Sequence, residues 1–244
     1  MEVSSIMIPL KDNIRRRKFP LVNIALIIAN FWAFFCQIRL PSEEAYRFVY
    51  LYGLIPQDFL QNIFYPLNGV QNLAGPVPGT FASLFTAIFL HGGWLHLLGN
   101  MLYLWVFGDN VEERLGSWRY LVVYLLMGAG GNLAHILFNP HSTVPIIGAS
   151  GAIAGVLGIY FLVYPRARVL TLLPLGFFIT FVHVPAVLFL ALWFLLQLFN
   201  ALMAQNMALE AQQVAWWAHV GGFLMGMVIG AIARSRNRAH QPRL

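Results

Sequence analysis

Six stretches of almost uninterrupted apolar residues run through the chain, at 21–38, 94–111, 120–138, 148–164, 184–200 and 214–233. Each approaches the roughly 20 residues that a helix needs to cross the hydrocarbon core of a bilayer. The pattern predicts six transmembrane helices and an all-α polytopic membrane protein. Two further apolar stretches, 80–90 and 169–181, are too short or too broken by Pro174 to span. They are expected to be re-entrant or interfacial pieces. The long connection 39–79 mixes Pro41, Pro56, Pro66, Pro76 and Pro78 with Tyr46, Phe48, Tyr50 and Tyr52, and is expected to be a loop lying partly on the membrane.

Composition agrees with this division. Of the 244 residues 59% are hydrophobic and only 10% charged, far from the quarter charged of an ordinary water-facing domain. Cys36 is the single cysteine, which excludes an internal disulfide framework and a cysteine-built metal cluster. The formal net charge of +6 raises the question of nucleic acid, but the placement of the charges answers it. With six spans, all of the 15 basic residues except Arg39 and Arg47 fall on one side of the membrane, before the first span, between the second and third, after the fourth and after the sixth. Basic segments stay in the cytosol, so both termini are expected there. The charge is accounted for by topology and lipid headgroups, and no nucleic-acid partner is implied. The chain divides into a basic cytosolic tail at 1–19, a transmembrane domain at 20–235 and a second basic tail at 236–244. With no evident organelle presequence in the first tail, a bacterial cytoplasmic membrane is the expected location.

Polar side chains inside spans are costly and therefore informative. The second span carries His96 and Asn100, the third His135, the fourth Ser150 and the sixth His219. Singly, each has an ordinary explanation: a serine bonded back to its helix, or a His/Asn pair holding helices together. The topology groups them. The second, fourth and sixth spans run in the same direction, which puts His96, Asn100, Ser150 and His219 within the first turns beneath the non-cytosolic surface. Ser150 lies among Gly148, Gly151 and Gly155, and His219 is followed by Gly222 and Gly226. These are small-residue series that allow two helix backbones to approach closely. A serine and a histidine at matching depth on two such faces can meet within about 3 Å, where the imidazole takes the hydroxyl proton. Ser150 at the start of its helix would have unbonded backbone N–H groups beside it, suited to an oxyanion. His96 and Asn100, one turn apart, add side-chain donors. A desolvated His219 is expected to be neutral, as a general base must be. No carboxylate stands at this depth, so the arrangement is a Ser–His dyad with neither metal nor cofactor. A His-lined transporter or metal-binding protein using His91, His96, His135 and His219 is the competing reading, but no His-x-x-x-His pair puts two ligands on one helical face.

The segments His91-Gly92-Gly93-Trp94-Leu95-His96-Leu97-Leu98-Gly99-Asn100, Gly148-Ala149-Ser150-Gly151 and Ala218-His219-Val220-Gly221-Gly222 resemble those of the rhomboid family of intramembrane serine proteases. Gly108, Glu112 and Gly116 match a family segment bracing the cytosolic end of the second span. The resemblance implies a six-helix core that cleaves transmembrane segments of other proteins near the outer face of the bilayer. In it Ser150 is the nucleophile, His219 the base, and His96, Asn100 and the Ser150 backbone N–H form the oxyanion hole. His91 is implied to be structural, and 184–200 with the loop 201–213 to form a gate. One departure stands out: where many members have an aromatic ring stacked on the histidine, four residues after the serine, this chain has Ala154. Trp216 and Trp217 are the candidates for its place. A proteolytically inactive protein that binds transmembrane helices is the alternative within the family, and such proteins are expected to lose the serine or the histidine.

Overall fold

The computed structural model describes residues 7–64, 81–175, 178–205 and 214–239. In chain order its elements are β1 (Ile8–Asp12), α1 (Leu21–Ile38), α2 (Ser42–Tyr52), α3 (Pro56–Phe64), α4 (Ser83–Thr86, continued by a 3₁₀ turn at Ala87–Phe89), α5 (Trp94–Leu115) and α6 (Ser117–Phe138). They continue with α7 (Ser150–Val163), β2 (Arg168–Leu175), β3 (Phe178–Pro185), α8 (Ala186–Ala204) and α9 (Trp216–Ala239). A helix stands at each of the six apolar stretches, and the fold is mostly helical. The gate loop expected at 201–213 and the C-terminal tail fall largely outside the described residues, as does the proline-rich part of the first loop.

Four helices, α1, α6, α8 and the stretch Trp216–Ser235 of α9, are long and apolar enough to cross a membrane. The protein is a multi-pass membrane protein. Its surface supports this: Trp32 is 72% exposed, Leu95 89% and Leu137 79%, whereas Asn23, Asn30, Glu112 and Gln197 are buried. Apolar outside and polar inside reverses the order expected in water. The other two helices depart from the simple span for different reasons. α5 ends in Asp109, Glu112, Glu113 and Arg114. α7 has only 14 residues, about 21 Å at 1.5 Å per residue, and is buried along nearly its whole length. A helix enclosed by other helices need not match the thickness of lipid.

A small sheet stands beside the helices of this mostly helical fold. The stretch expected to be a re-entrant or interfacial piece at 169–181 falls in strands: β2 and β3 pair antiparallel, with Arg168 opposite Pro185 and Leu175 opposite Phe178. β1 adds on the far side of β2, giving the sheet order β1-β2-β3. The N-terminal segment is therefore part of the fold and not simply a basic tail. Its Asp12 accepts hydrogen bonds from the Tyr160 hydroxyl at the end of α7 and from Asn110 Nδ2 on α5 (2.8 Å). β-Branched Val169 and Thr171 are buried on β2, and Pro9 is tolerated because β1 is an edge strand with a register shift between Pro9 and Lys11. The first connection is likewise more ordered than a loop. Pro41 precedes α2 and Pro56 opens α3, where a missing N–H costs nothing. Leu54 pairs with Ile146, and Leu54, Ile55 and Phe59 are buried.

Glu112 joins the start of α1 to the end of α5. Its carboxylate accepts from the backbone N–H of Val22 (3.1 Å) and Asn23 (2.7 Å), in the first turn of α1, and from Ser117 Oγ (2.6 Å). A buried carboxylate is tolerable there because unpaired first-turn amides and the positive helix end receive it. Asn23 extends the link, donating from Nδ2 to the Leu104 carbonyl (3.0 Å) and accepting from the Tyr120 hydroxyl (2.7 Å). Gly108 is obligatory beneath it, since a Cβ there would strike Asn23 and come within 2.7 Å of the Tyr120 hydroxyl. Glu112→Leu strands three donors, and is expected to cost about 2–4 kcal/mol. Thermal unfolding in detergent measures this; an unchanged midpoint would contradict the bracing role.

Candidate functional site

The site is built where α5, α7 and α9 begin. The chain enters α7 through Gly148, whose φ of +127° lies in the region that side chains rarely adopt. A Cβ there would also come within 2.8 Å of His96 Nε2. Gly148 thus serves the turn and the approach of the His96 ring, a correction to its expected role in helix packing. Its N–H is held by the Ala87 carbonyl (2.9 Å), so the buried 3₁₀ turn fixes the entry to α7. Ser150 follows as the first residue of the helix, where its backbone N–H has no acceptor within the helix.

The close approach of α7 and α9 sets the second half. A Cβ on Gly222 would run into the Gly151 carbonyl, and one on Gly226 into the Gly155 carbonyl. Gly155 itself faces Met127 of α6, so its missing side chain serves a second interface. Gly151 lies against Ala218, where an added Cβ would stand 3.4 Å from the Ala218 carbonyl oxygen. His219, in the first turn of α9, meets Ser150 across this seam: Nε2 lies 2.7 Å from Ser150 Oγ.

The other polar residues divide. Asn100 is buried, and its Nδ2 has no hydrogen-bond partner among the described residues, a donor without an acceptor. His96 Nδ1 accepts from the Gly92 N–H (3.3 Å), and the ring lies against Gly148. His91 is fully buried; its backbone carbonyl accepts from Gln37 Nε2 (2.9 Å) and its ring Nδ1 lies 3.3 Å from the Phe89 carbonyl. His135 is buried on α6 and is not joined to Ser150 or His219 by any hydrogen bond described. Among the described residues no three His, Cys, Asp or Glu side chains gather as metal ligands would.

Two residues on α8 complete the surroundings of His219, and neither was anticipated. Gln197 Oε1 lies 2.8 Å from His219 Nδ1. Trp193, one turn earlier, has its ring centroid 6.1 Å from the imidazole at 35°, while Trp216 meets the ring edge-on at 5.9 Å and 87°. Trp217 stacks on Phe138 instead. Ala154 is small because α9 passes over it, its Cβ only 3.4 Å from where a Gly222 Cβ would stand. Aromatic cover for the imidazole comes from α8 and α9 in place of α7. Gln197 was visible to the same reasoning that found the other polar residues, as a strongly polar side chain in an apolar span.

The chain is similar in sequence to known proteins over this region. The rhomboid domain family matches residues 78–236, which takes in α4 to α8 and most of α9. The chain belongs to the rhomboid family. It is 34% identical over 146 residues to rhomboid-like protein 11, chloroplastic, of Arabidopsis thaliana, covering 58% of this chain and 51% of that protein. It is 46% identical over 80 residues to rhomboid protease GluP of Bacillus subtilis, 33% of this chain and 15% of that one. Against rhomboid protein 1, mitochondrial, of Saccharomyces cerevisiae, identity is 26% over 234 residues, covering 93% of this chain and 56% of the yeast protein. The rhomboid chain described here thus spans about half the length of its relatives or less, and those relatives come from bacteria and from eukaryotic organelles alike.

Proposed function

We propose that this rhomboid is an intramembrane serine endopeptidase that cuts transmembrane segments of other membrane proteins near the non-cytosolic face of the bilayer. The observation that carries the reading is the 2.7 Å contact between Ser150 Oγ and His219 Nε2, at the start of a helix and inside an apolar protein. In this reading His219 Nε2 takes the hydroxyl proton as Oγ attacks the scissile carbonyl. The negative charge that develops on the carbonyl oxygen is met by the Ser150 backbone N–H, by Asn100 Nδ2 and by His96. Collapse expels the amine, which leaves with the proton held by His219, and water then releases the acyl group by the same route. The protein crosses the membrane six times, α5 and α7 included, with both termini cytosolic, as the basic residues require. Its partners are transmembrane protein substrates and the surrounding lipid.

A fluorophosphonate probe tests the nucleophile directly. The purified wild type is expected to be labelled covalently on Ser150, and Ser150→Ala to remain unlabelled. Equal labelling of the two proteins would overturn the assignment.

A further inference from the structure

We propose that Gln197 is the positioning residue of this site, an amide that holds His219 in its working tautomer. The inference rests on the Ser–His reading above. Neutral imidazole has one nitrogen that donates and one that accepts. To accept the Ser150 proton, Nε2 must be bare, so Nδ1 must carry the hydrogen. Gln197 Oε1, 2.8 Å from Nδ1, is an acceptor and selects that form. Soluble serine proteases use a carboxylate at this place, and swapping it for a group that favours the wrong tautomer costs about 10⁴-fold. Among the described residues the hydrogen-bond partner of Nδ1 is this neutral amide, not a carboxylate, and it does the selecting without burying a charge in the bilayer.

Three further observations point the same way. Gln197 is only 3% exposed, on a helix otherwise composed almost wholly of apolar residues. Burial of an amide there is costly unless it is hydrogen-bonded, and its described acceptor contact is with His219. Trp193 and Gln197, one turn apart on one face of α8, both address the imidazole, so that face is shaped around the ring. The serine, the histidine and the amide come from three different helices, α7, α9 and α8. His219 is therefore correctly set only while α8 is seated against α9.

The test compares wild type, Gln197→Met and Gln197→Glu in detergent. The rate of Ser150 labelling by a fluorophosphonate is followed together with the Nδ1–H proton resonance of ¹⁵N-histidine-labelled protein. Gln197→Met, similar in size but unable to accept a strong hydrogen bond, is expected to label about 10- to 100-fold more slowly and to lose the Nδ1–H signal, with its melting midpoint little changed. Gln197→Glu restores an acceptor, and is expected to label within a few-fold of wild type and keep the signal; a purely structural role predicts no such rescue. Wild-type labelling rates in Gln197→Met would overturn the proposal while leaving the Ser–His reading intact. If Gln197→Met fails to fold, Gln197→Glu decides, since a slowing of tenfold or more, or loss of the Nδ1–H signal, overturns it. A wild type that is not labelled at Ser150 at all overturns the protease reading, and this one with it.

Discussion

Ser150→Ala is expected to abolish cleavage of a single-span reporter substrate in proteoliposomes, a loss of at least about 10⁴-fold, with the melting midpoint of the protein little altered. The alanine removes the attacking oxygen and nothing that packs α7 on α9, because the seam is made by Gly151, Gly155, Gly222 and Gly226. His219→Ala is expected to act as severely, since the imidazole that contacts the hydroxyl is then gone. The double variant should be hardly worse than either single one, as is usual for groups acting as a unit. Asn100→Ala should lose less, about 10²- to 10³-fold, and in turnover more than in substrate binding, because in the proposed mechanism its Nδ2 bonds most strongly to the carbonyl oxygen as that oxygen gains charge. Cutting by Ser150→Ala at anything near the wild-type rate would remove Ser150 from the mechanism.

What the sequence disclosed and what it concealed follow from the range of the forces concerned. The long helices were legible because lipid imposes one demand on every residue of a span, and apolarity summed over a window reports it. α1 was read to the residue, at Leu21–Ile38. Ser150 and His219 are legible as a candidate pair because topology alone brings the starts of their two helices to one level, and their glycine series permit the 2.7 Å contact. The same averaging hid the sheet. Within 168–185 apolar residues dominate both faces, so no alternation marked a strand, and the partner β1 lies more than 150 residues away in sequence. Gly148 was assigned to helix packing because it stands among packing glycines; only its φ of +127° and the His96 ring reveal its task. Gln197 is hidden because a single amide in an apolar span has an ordinary reading as interhelical packing. Its partner is 22 residues further along, a relation that spacing alone does not announce.

Gly226→Val is expected to be the most damaging substitution distant from the chemistry. A Cβ at 226 would run into the Gly155 carbonyl oxygen, with the Gly155 carbonyl carbon at 2.7 Å and its Cα at 2.8 Å. These are backbone atoms in the middle of a buried helix, and no rotamer change relieves them. α9 must move away from α7, which breaks the dense contact of the two backbones and costs about 3 kcal/mol or more. The damage also reaches the site. Gly226 lies two turns below His219, about 10 Å at 1.5 Å per residue, and helices move as rigid units over that length. A separation of about 1 Å carries the Ser150–His219 contact beyond hydrogen-bond range, so cleavage should fall by far more than the fraction of protein unfolded. Gly226→Ala should show the same effects in weaker form, since the first carbon already meets the carbonyl. Gly99→Ala is the matched control. It too lies in a helix, α5, but nothing stands within 4 Å of a Cβ there, so stability should hold or rise slightly from improved helix propensity. Melting midpoints and cleavage rates of the three variants measured side by side decide the matter. If Gly226→Val keeps wild-type stability and rate, the close seam between α7 and α9 is not what brings Ser150 and His219 together.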